Sequence, residues 1–150
     1  MRILIQECLE ATLKIDGVEH ARIGMGEVIF VGFTEGDTRE TIVKMIEKLL
    51  KLRIFSDEEG KTNLTLAEHG GDILAVSQFT LYADLRKGNR PSFVRALGSL
   101  KSKPLFDIFK EELSSRMEKT QYGVFGADMK VGLINDGPFT IWLDSEELGL

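Results

Sequence analysis

The sequence predicts one α/β domain, built from mixed β-sheets with two principal helices. Three observations carry that expectation. Short apolar runs recur along the chain and end in Gly, Asp or Asn, as strands do. Two longer segments repeat apolar side chains at helical spacing instead. The length of 150 residues suits one core, and no internal repeat, low-complexity tract or linker divides it.

Taken in order, Ile3 to Gln6 reads as the first strand. Thr12 to Ile15 alternates polar and apolar, Asp16-Gly17 follows, and Val18 to Ile23 continues. Asp-Gly between alternating runs marks a hairpin, because a type I′ turn needs positive φ at its centre. Val28 to Val31 is continuously apolar, as in a strand covered on both faces. Asp37 then offers an N-cap with Glu40 three residues on. Ile42, Met45, Ile46, Leu49 and Leu50 give a helix over 39–52. Glu40 with Lys44, and Glu47 with Lys51, are i,i+4 pairs on its solvated face.

Asp57 to Lys61 is a turn, and Gly70-Gly71 precedes a strand from Ile73 to Val76. Arg86 to Pro91 is a basic loop. Ser102 and Pro104 mark the start of a second helix, with Pro near the first helical position. Leu105, Ile108, Phe109, Leu113 and Met117 form its buried stripe. Met129 to Ile134 and Phe139 to Leu143 are two last strands, broken by Asp136-Gly137-Pro138.

Composition excludes several classes. Hydrophobic content of 43% and charged content of 29% are those of a globular protein, not a disordered one. A net charge of −5 excludes a general nucleic-acid binder drawn by bulk charge. An RNA substrate needs a local basic patch on an acidic body, and DNA is not expected as a partner. With one cysteine, Cys8, no intrachain disulfide forms, which suits a reducing compartment. Its ordinary role is a small buried side chain. Met1 to Glu7 is too short and too soon acidic for a signal peptide. No apolar stretch approaches the ~20 residues of a membrane span, so a cytoplasmic protein is expected.

The residues that can carry chemistry sit at two strand ends. Ser77 has no Gly-x-Ser-x-Gly elbow, and neither His20 nor His69 falls in a triad motif, so a Ser-His-Asp hydrolase is not expected. Cys8, His20 and His69 lack metal-ligand spacing, and neither metal nor cofactor is expected. Gln78 and Thr80, two apart, share one side of a strand, with Ser77 and Phe79 on the other. A hydroxyl and an amide on one side can position a carbonyl, a ribose hydroxyl or a water. They also suit a plain strand and its rim. Gly137-Pro138 is a turn, or a bare backbone that a ligand approaches closely. Arg86, Lys87 and Arg90 are either a solvated loop or phosphate contacts. Asp84 and Asp128 lie nearby, without the spacing of a catalytic carboxylate pair.

Ser77-Gln78-Phe79-Thr80, with the distant Asn135-x-Gly137-Pro138-x-Thr140, resembles the paired signatures of D-aminoacyl-tRNA deacylases. The likeness spans nearly the whole chain. It includes Leu52 to Phe55, Gly60-Lys61 with Asn63-Leu64, Arg90 to Phe93, and Phe125 to Met129. The fold it implies is a single domain of mixed, largely antiparallel β-sheets with two main helices, assembled as a homodimer with composite active sites. The activity it implies is hydrolysis of the ester between a D-amino acid and the 3′ end of tRNA.

On that resemblance, Gln78 and Thr80 line the catalytic pocket and the Phe79 backbone N–H donates to the oxyanion. Thr80 as a nucleophile is the weaker variant, since no base is in sight. Ser77, Asn135, Gly137, Pro138 and Thr140 bind substrate. A cis Gly137-Pro138 reaches into the partner's pocket and excludes L-amino acids by clash. Glycyl-tRNA, with no side chain to exclude, passes as a second substrate. Two positions depart from the family pattern: Glu7 stands where an arginine is usual, and Phe139 where a valine is common. Both touch the selectivity device more than the hydrolytic pocket. A non-catalytic nucleic-acid-binding module and a small-molecule esterase are the competing readings.

Overall fold

The computed structural model describes all 150 residues. Its spine is one long strand, β1 (Arg2–Ile15), where the sequence suggested two short ones. One edge of β1 pairs along its whole length with β8 (Met129–Asp144). The other edge is shared. β3 (Gly26–Gly32) takes residues 2–8, and β2 (Val18–Ile23) takes residues 11–15. Asp16 and Gly17 both have positive φ, 50° and 79°, so the expected hairpin turn forms.

β6 (Asp72–Ser77) lies parallel to β3, and β7 (Thr120–Tyr122) parallel to β6. The sheet order is β2-β1-β3-β6-β7, with β8 on the far edge of β1. The sheet is therefore mixed, as expected, and its antiparallel pairs all meet at β1. A separate hairpin, β4 (Arg53–Ser56) with β5 (Thr62–Thr65), carries the Asp57–Lys61 turn.

Helix α1 (Arg39–Leu50) buries Ile42, Met45, Ile46 and Leu49, the stripe the spacing predicted. It ends two residues sooner than expected, and its N-cap is Thr38, not Asp37. Asp37 is engaged elsewhere: its carboxylate accepts from the Met1 nitrogen at 2.6 Å and from the Thr34 amide at 2.8 Å. Glu40 pairs with Lys44 at 2.8 Å, as its spacing implies. A third, one-turn helix, α2 (Leu66–His69), was not foreseen; a Thr65–Glu68 capping box sets it.

Helix α3 (Ser99–Ser114) starts three residues before Ser102, so Pro104 lies inside it rather than at its first position. Proline there removes one donor and leaves the Leu100 carbonyl without its helical partner, on an exposed turn. The buried stripe is Phe106, Phe109 and Leu113, with Leu105 and Ile108 at its margin. These side chains join Ile3, Ile5, Ile29, Val31 and the α1 stripe in the main core. A smaller cluster of Cys8, Ala11, Leu13, Val28, Leu74 and Val76 fills the other face. No helix is long and apolar enough to cross a membrane.

Candidate active site

The first signature leaves the sheet at once. β6 ends at Ser77, and Phe79–Tyr82 form a 3-10 turn, so the two-residue strand alternation expected for Gln78 and Thr80 does not apply. They still meet, because the turn brings them together: Gln78 Nε2 donates to Thr80 Oγ1 at 2.6 Å. The hydroxyl is thus oriented by the amide, and its own proton stays free to donate. Amides at the start of a helical turn have no partner within it, and Phe79 and Thr80 stand at that position.

Gly32 makes this placement possible. A Cβ there would stand 2.8 Å from the Gln78 carbonyl and 3.3 Å from Leu81 Cβ. Only glycine lets the turn lie so close over the end of β3. Arg2 then pins it from the far side. Its Nη1 donates to the Leu81 carbonyl at 2.8 Å and its Nε to Asp144 at 2.7 Å. Its guanidinium stacks 4.4 Å from the Tyr82 ring and 5.1 Å from Trp142. No sequence pattern marked Arg2; its role depends on pairing between the chain's two ends.

Ser77, Gln78 and Phe79 line a cleft of about 600 Å³, whereas Thr80, expected in its wall, lies outside it. Its other walls include Val31, Phe125 and Met129, with Gly98 and Ser102 at the start of α3. Phe79 is more than half exposed and meets Phe93 edge-to-face at 5.0 Å, so two aromatic rings form the mouth. The cleft is mostly apolar, with a few polar groups, the usual composition of a small-ligand site. Asp128 also lines it. Phe93 and Phe125 stood in the sequence only as parts of matching segments, and their shared position needed the fold.

The second signature lies elsewhere in the chain. β1 and β8 lose register between Gln6, opposite Thr140, and Cys8, opposite Asn135. The residues between Asn135 and Thr140 bulge out, carrying Gly137-Pro138, whose peptide bond is cis. Asn135 straps the bulge: Oδ1 accepts from the Phe139 N–H at 2.8 Å, and Nδ2 donates to the Phe139 carbonyl at 3.2 Å. Thr140 Oγ1 accepts from Gln6 at 3.3 Å. Asn135 and Thr140 therefore hold the loop's own shape. Phe139 is partly buried and packs against the main core. None of Asn135, Gly137, Pro138 and Thr140 lines the cleft of its own chain.

Of the basic trio, Arg86 is paired to Asp84, with Nη2 to Oδ2 at 2.5 Å. That pairing and the Arg86 amide hold Asp84 well below the usual carboxylate range. Asp84 also closes the loop by a backbone bridge to Ser92. Lys87 and Arg90 are exposed. His20 is exposed on β2, and His69 stacks on Phe55 at 4.5 Å, so no histidine serves Ser77 or Thr80. Cys8 is fully buried, and burial, with Glu27 and Glu7 adding, pushes its thiol up to about 11. A thiol so raised is neutral and no nucleophile.

Residues 4–144 match the family model described as D-Tyr-tRNA(Tyr) deacylase. The chain is 51% identical to the D-aminoacyl-tRNA deacylase of Chromobacterium violaceum, over 97% of both chains. It is 50% identical to the protein of the same name in Thermomicrobium roseum, covering 99% of this chain and 96% of that one. Among solved structures it superposes on the c-Myc DNA Unwinding Element Binding Protein with a TM-score of 0.92 and 36% identity, over 97% of this chain and 99% of that chain.

Proposed function

The chain belongs to the D-Tyr-tRNA(Tyr) deacylase family and is a D-aminoacyl-tRNA deacylase; on that premise we propose that its cleft at Ser77–Phe79 hydrolyses the ester, while the Gly137-Pro138 loop of a second copy excludes L-substrates. The observation that carries this reading is a division. The chain builds a cleft walled by Ser77–Phe79 at one place and a braced, exposed Gly-Pro loop at another. Each is half of a site, and a two-fold dimer joins such halves reciprocally. Leu9, Ile134 and Trp142, large apolar side chains on β1 and β8, stay exposed and suit a surface covered by that second copy.

In the reaction so read, the 3′-terminal nucleotide enters between Phe79 and Phe93, and the ester carbonyl lies at the start of the 3-10 turn. Water adds to the carbonyl carbon, and the oxyanion accepts from the Phe79 N–H. The intermediate then expels the ribose oxygen. The proton released by the water reaches that oxygen through the neighbouring 2′-hydroxyl of the tRNA. Gln78 and Thr80 orient the substrate through their shared hydrogen bond. The partner's Gly-Pro backbone fills the space that an L side chain needs, which is rejection by clash rather than by weaker attraction. Glycine presents no side chain, so glycyl-tRNA is hydrolysed as well.

Thr80 has no base near it and acts by position. Thr80→Val is expected to lower kcat by no more than about tenfold, the worth of one hydrogen bond, in single-turnover deacylation. A loss beyond about a thousandfold would make Thr80 a nucleophile instead. Arg86, Lys87 and Arg90 are the proposed tRNA contacts, with Lys87 and Arg90 the unpaired ones. The solved relative's name ties that protein to DNA; here an acidic body of net charge −5 favours the deacylase reading. The test is loss of the ester from D-tyrosyl-tRNA beside D-tyrosine ethyl ester. Release from the tRNA alone supports this function, whereas equal turnover of the simple ester would make the protein a general esterase.

A further inference from the structure

Glu27 is the one buried side chain with an oxygen that has no hydrogen-bond partner, Oε1. It is 2% exposed. A carboxyl in that position has no structural payoff, since a leucine would pack as well without the desolvation cost. Its confinement is built in: Gly26 and Asp72 bring β3 and β6 so close that a Cβ on Gly26 would overlap the Asp72 carbonyl. Across the β1–β3 ladder, the residue directly opposite Glu27 is Glu7. Like charges directly opposed on neighbouring strands repel.

Glu7 has a second neighbour. It is the β1 residue between Gln6 and Cys8, where the ladder to β8 breaks and the Asp136–Phe139 bulge begins. Burial first, and Asp136 second, hold the Glu7 carboxyl above its usual range. The three carboxyls thus form a chain from the buried strand β3 to the residue before Gly137. The other groups around Glu27 do not neutralise it. Cys8 on β1 is a buried neutral thiol, Ile73 opposite it on β6 is apolar, and Asp72 on the same strand is acidic. Burial, with Glu7 adding, lifts Glu27 to about 8, so it is largely protonated at neutral pH.

We propose that Glu27 is a positioning residue for the Gly137-Pro138 loop, acting through Glu7 and Asp136, so that ionising the buried carboxyl drives the loop outward and weakens D-over-L selection. The inference rests on the reading of that loop as the chiral gate. Protonated, Glu27 leaves one fewer charge behind the loop, and Glu7 and Asp136 sit close to β1. Ionised, it repels Glu7, Glu7 repels Asp136, and Gly137 follows. This places the selectivity of the site under a proton held some distance from the substrate, in a residue that never touches it.

The experiment uses the full-length protein labelled with 15N-glycine, in wild-type, Glu27→Gln and Glu7→Gln forms. The Gly137 amide is followed by NMR from pH 6 to 9, and D- and L-tyrosyl-tRNA hydrolysis is measured over the same range after subtracting spontaneous ester loss. In the wild type the Gly137 signal should move in one step in the alkaline half of that range, and the D/L ratio should fall about fivefold or more with it. Glu27→Gln should abolish the step and flatten the ratio. Glu7→Gln, which removes the charge that relays the repulsion, should shrink the Gly137 step and flatten the ratio although Glu27 is still present, an effect no purely structural role of Glu27 produces. A Gly137 amide that does not titrate in the wild type, or a step that survives Glu27→Gln, overturns the proposal. A titrating Gly137 with a constant D/L ratio would keep the coupling but overturn the loop as gate, and with it the role of Glu27 in selection.

Discussion

Replacing Gly137 by alanine is expected to lower the ratio of D- to L-aminoacyl-tRNA hydrolysis by about tenfold or more. Gly137 has φ +110°, a conformation that L side chains rarely adopt. An added Cβ would stand 3.2 Å from the Phe139 nitrogen and 3.4 Å from Phe139 Cβ. Those atoms cannot give way easily, because Asn135 clamps the Phe139 amide and carbonyl and Phe139 packs against the core. Holding a non-glycine residue in such a region costs roughly 1–3 kcal/mol, so the loop moves instead. A gate displaced by that much energy loses about one to two factors of ten in discrimination, at 1.4 kcal/mol per tenfold. Hydrolysis of D-substrates should persist, because the groups proposed to act on the ester lie at Ser77–Phe79 and not on the loop. Parallel rates on D- and L-tyrosyl-tRNA check this, and an unchanged ratio would remove Gly137 from the selection step.

Glu27→Leu is expected to stabilise the protein at alkaline pH and to remove a slope from its stability profile. The folded carboxyl is raised from 4.5 to about 8 by desolvation first and by Glu7 second. The folded state therefore binds the proton more tightly than the unfolded one between those values. The stability this proton supplies is fully present below about pH 4.5 and declines as pH rises. It is lost once pH passes through about 8. The full loss is on the order of 5 kcal/mol, at 1.36 kcal/mol per pH unit over the interval from 4.5 to about 8. For a chain of this length that is roughly 10 °C in Tm. Thermal unfolding of wild type and Glu27→Leu between pH 5 and 9 should show the two curves diverging upward in pH. Parallel curves would mean that Glu27 is no better protonated in the folded chain than in the unfolded one.

Local structure was legible wherever neighbours in sequence decide it. The Asp16-Gly17 hairpin, the apolar stripe of α1 and the strand ending at Ser77 are all local matters, and all are present. What escaped depends on partners far along the chain. Ile3 to Gln6 and Thr12 to Ile15 read as two strands because nothing local says that β8 runs beside both. Asp37 looked like an N-cap, but the Met1 nitrogen and the Thr34 amide claim its carboxylate, and Thr38 caps instead. Gln78 and Thr80 were placed on one strand face, whereas a 3-10 turn over Gly32 brings them together. Residues 120–122 are too few to signal a strand, and form one by lying beside β6.

The site itself was legible mainly through resemblance. Spacing alone left Gln78, Thr80 and Gly137-Pro138 open between structural and functional roles. The structure sorts them by neighbourhood. Ser77, Gln78 and Phe79 line the cleft, Asn135 and Thr140 brace the loop, and Arg86 is taken by Asp84. Phe139 packs against the core, and its Cβ lies 3.4 Å from where a Gly137 Cβ would stand, so its bulk is beside the loop. Glu7 keeps its interest, because it links the loop to a buried acid that no sequence pattern marked. An acidic residue opening an apolar run ordinarily marks a strand end, but β3 lies between β1 and β6, and Glu27 is buried there.

The most direct test of the central claim is parallel deacylation of D-tyrosyl-tRNA and L-tyrosyl-tRNA by the purified full-length protein near neutral pH. Release of D-tyrosine at a rate well above the spontaneous one, with L-tyrosyl-tRNA left at background, is the predicted result. Equal release from both would contradict selection by the Gly137-Pro138 loop, and release from neither by the folded protein would contradict the assignment of the cleft at Ser77–Phe79 as the hydrolytic site.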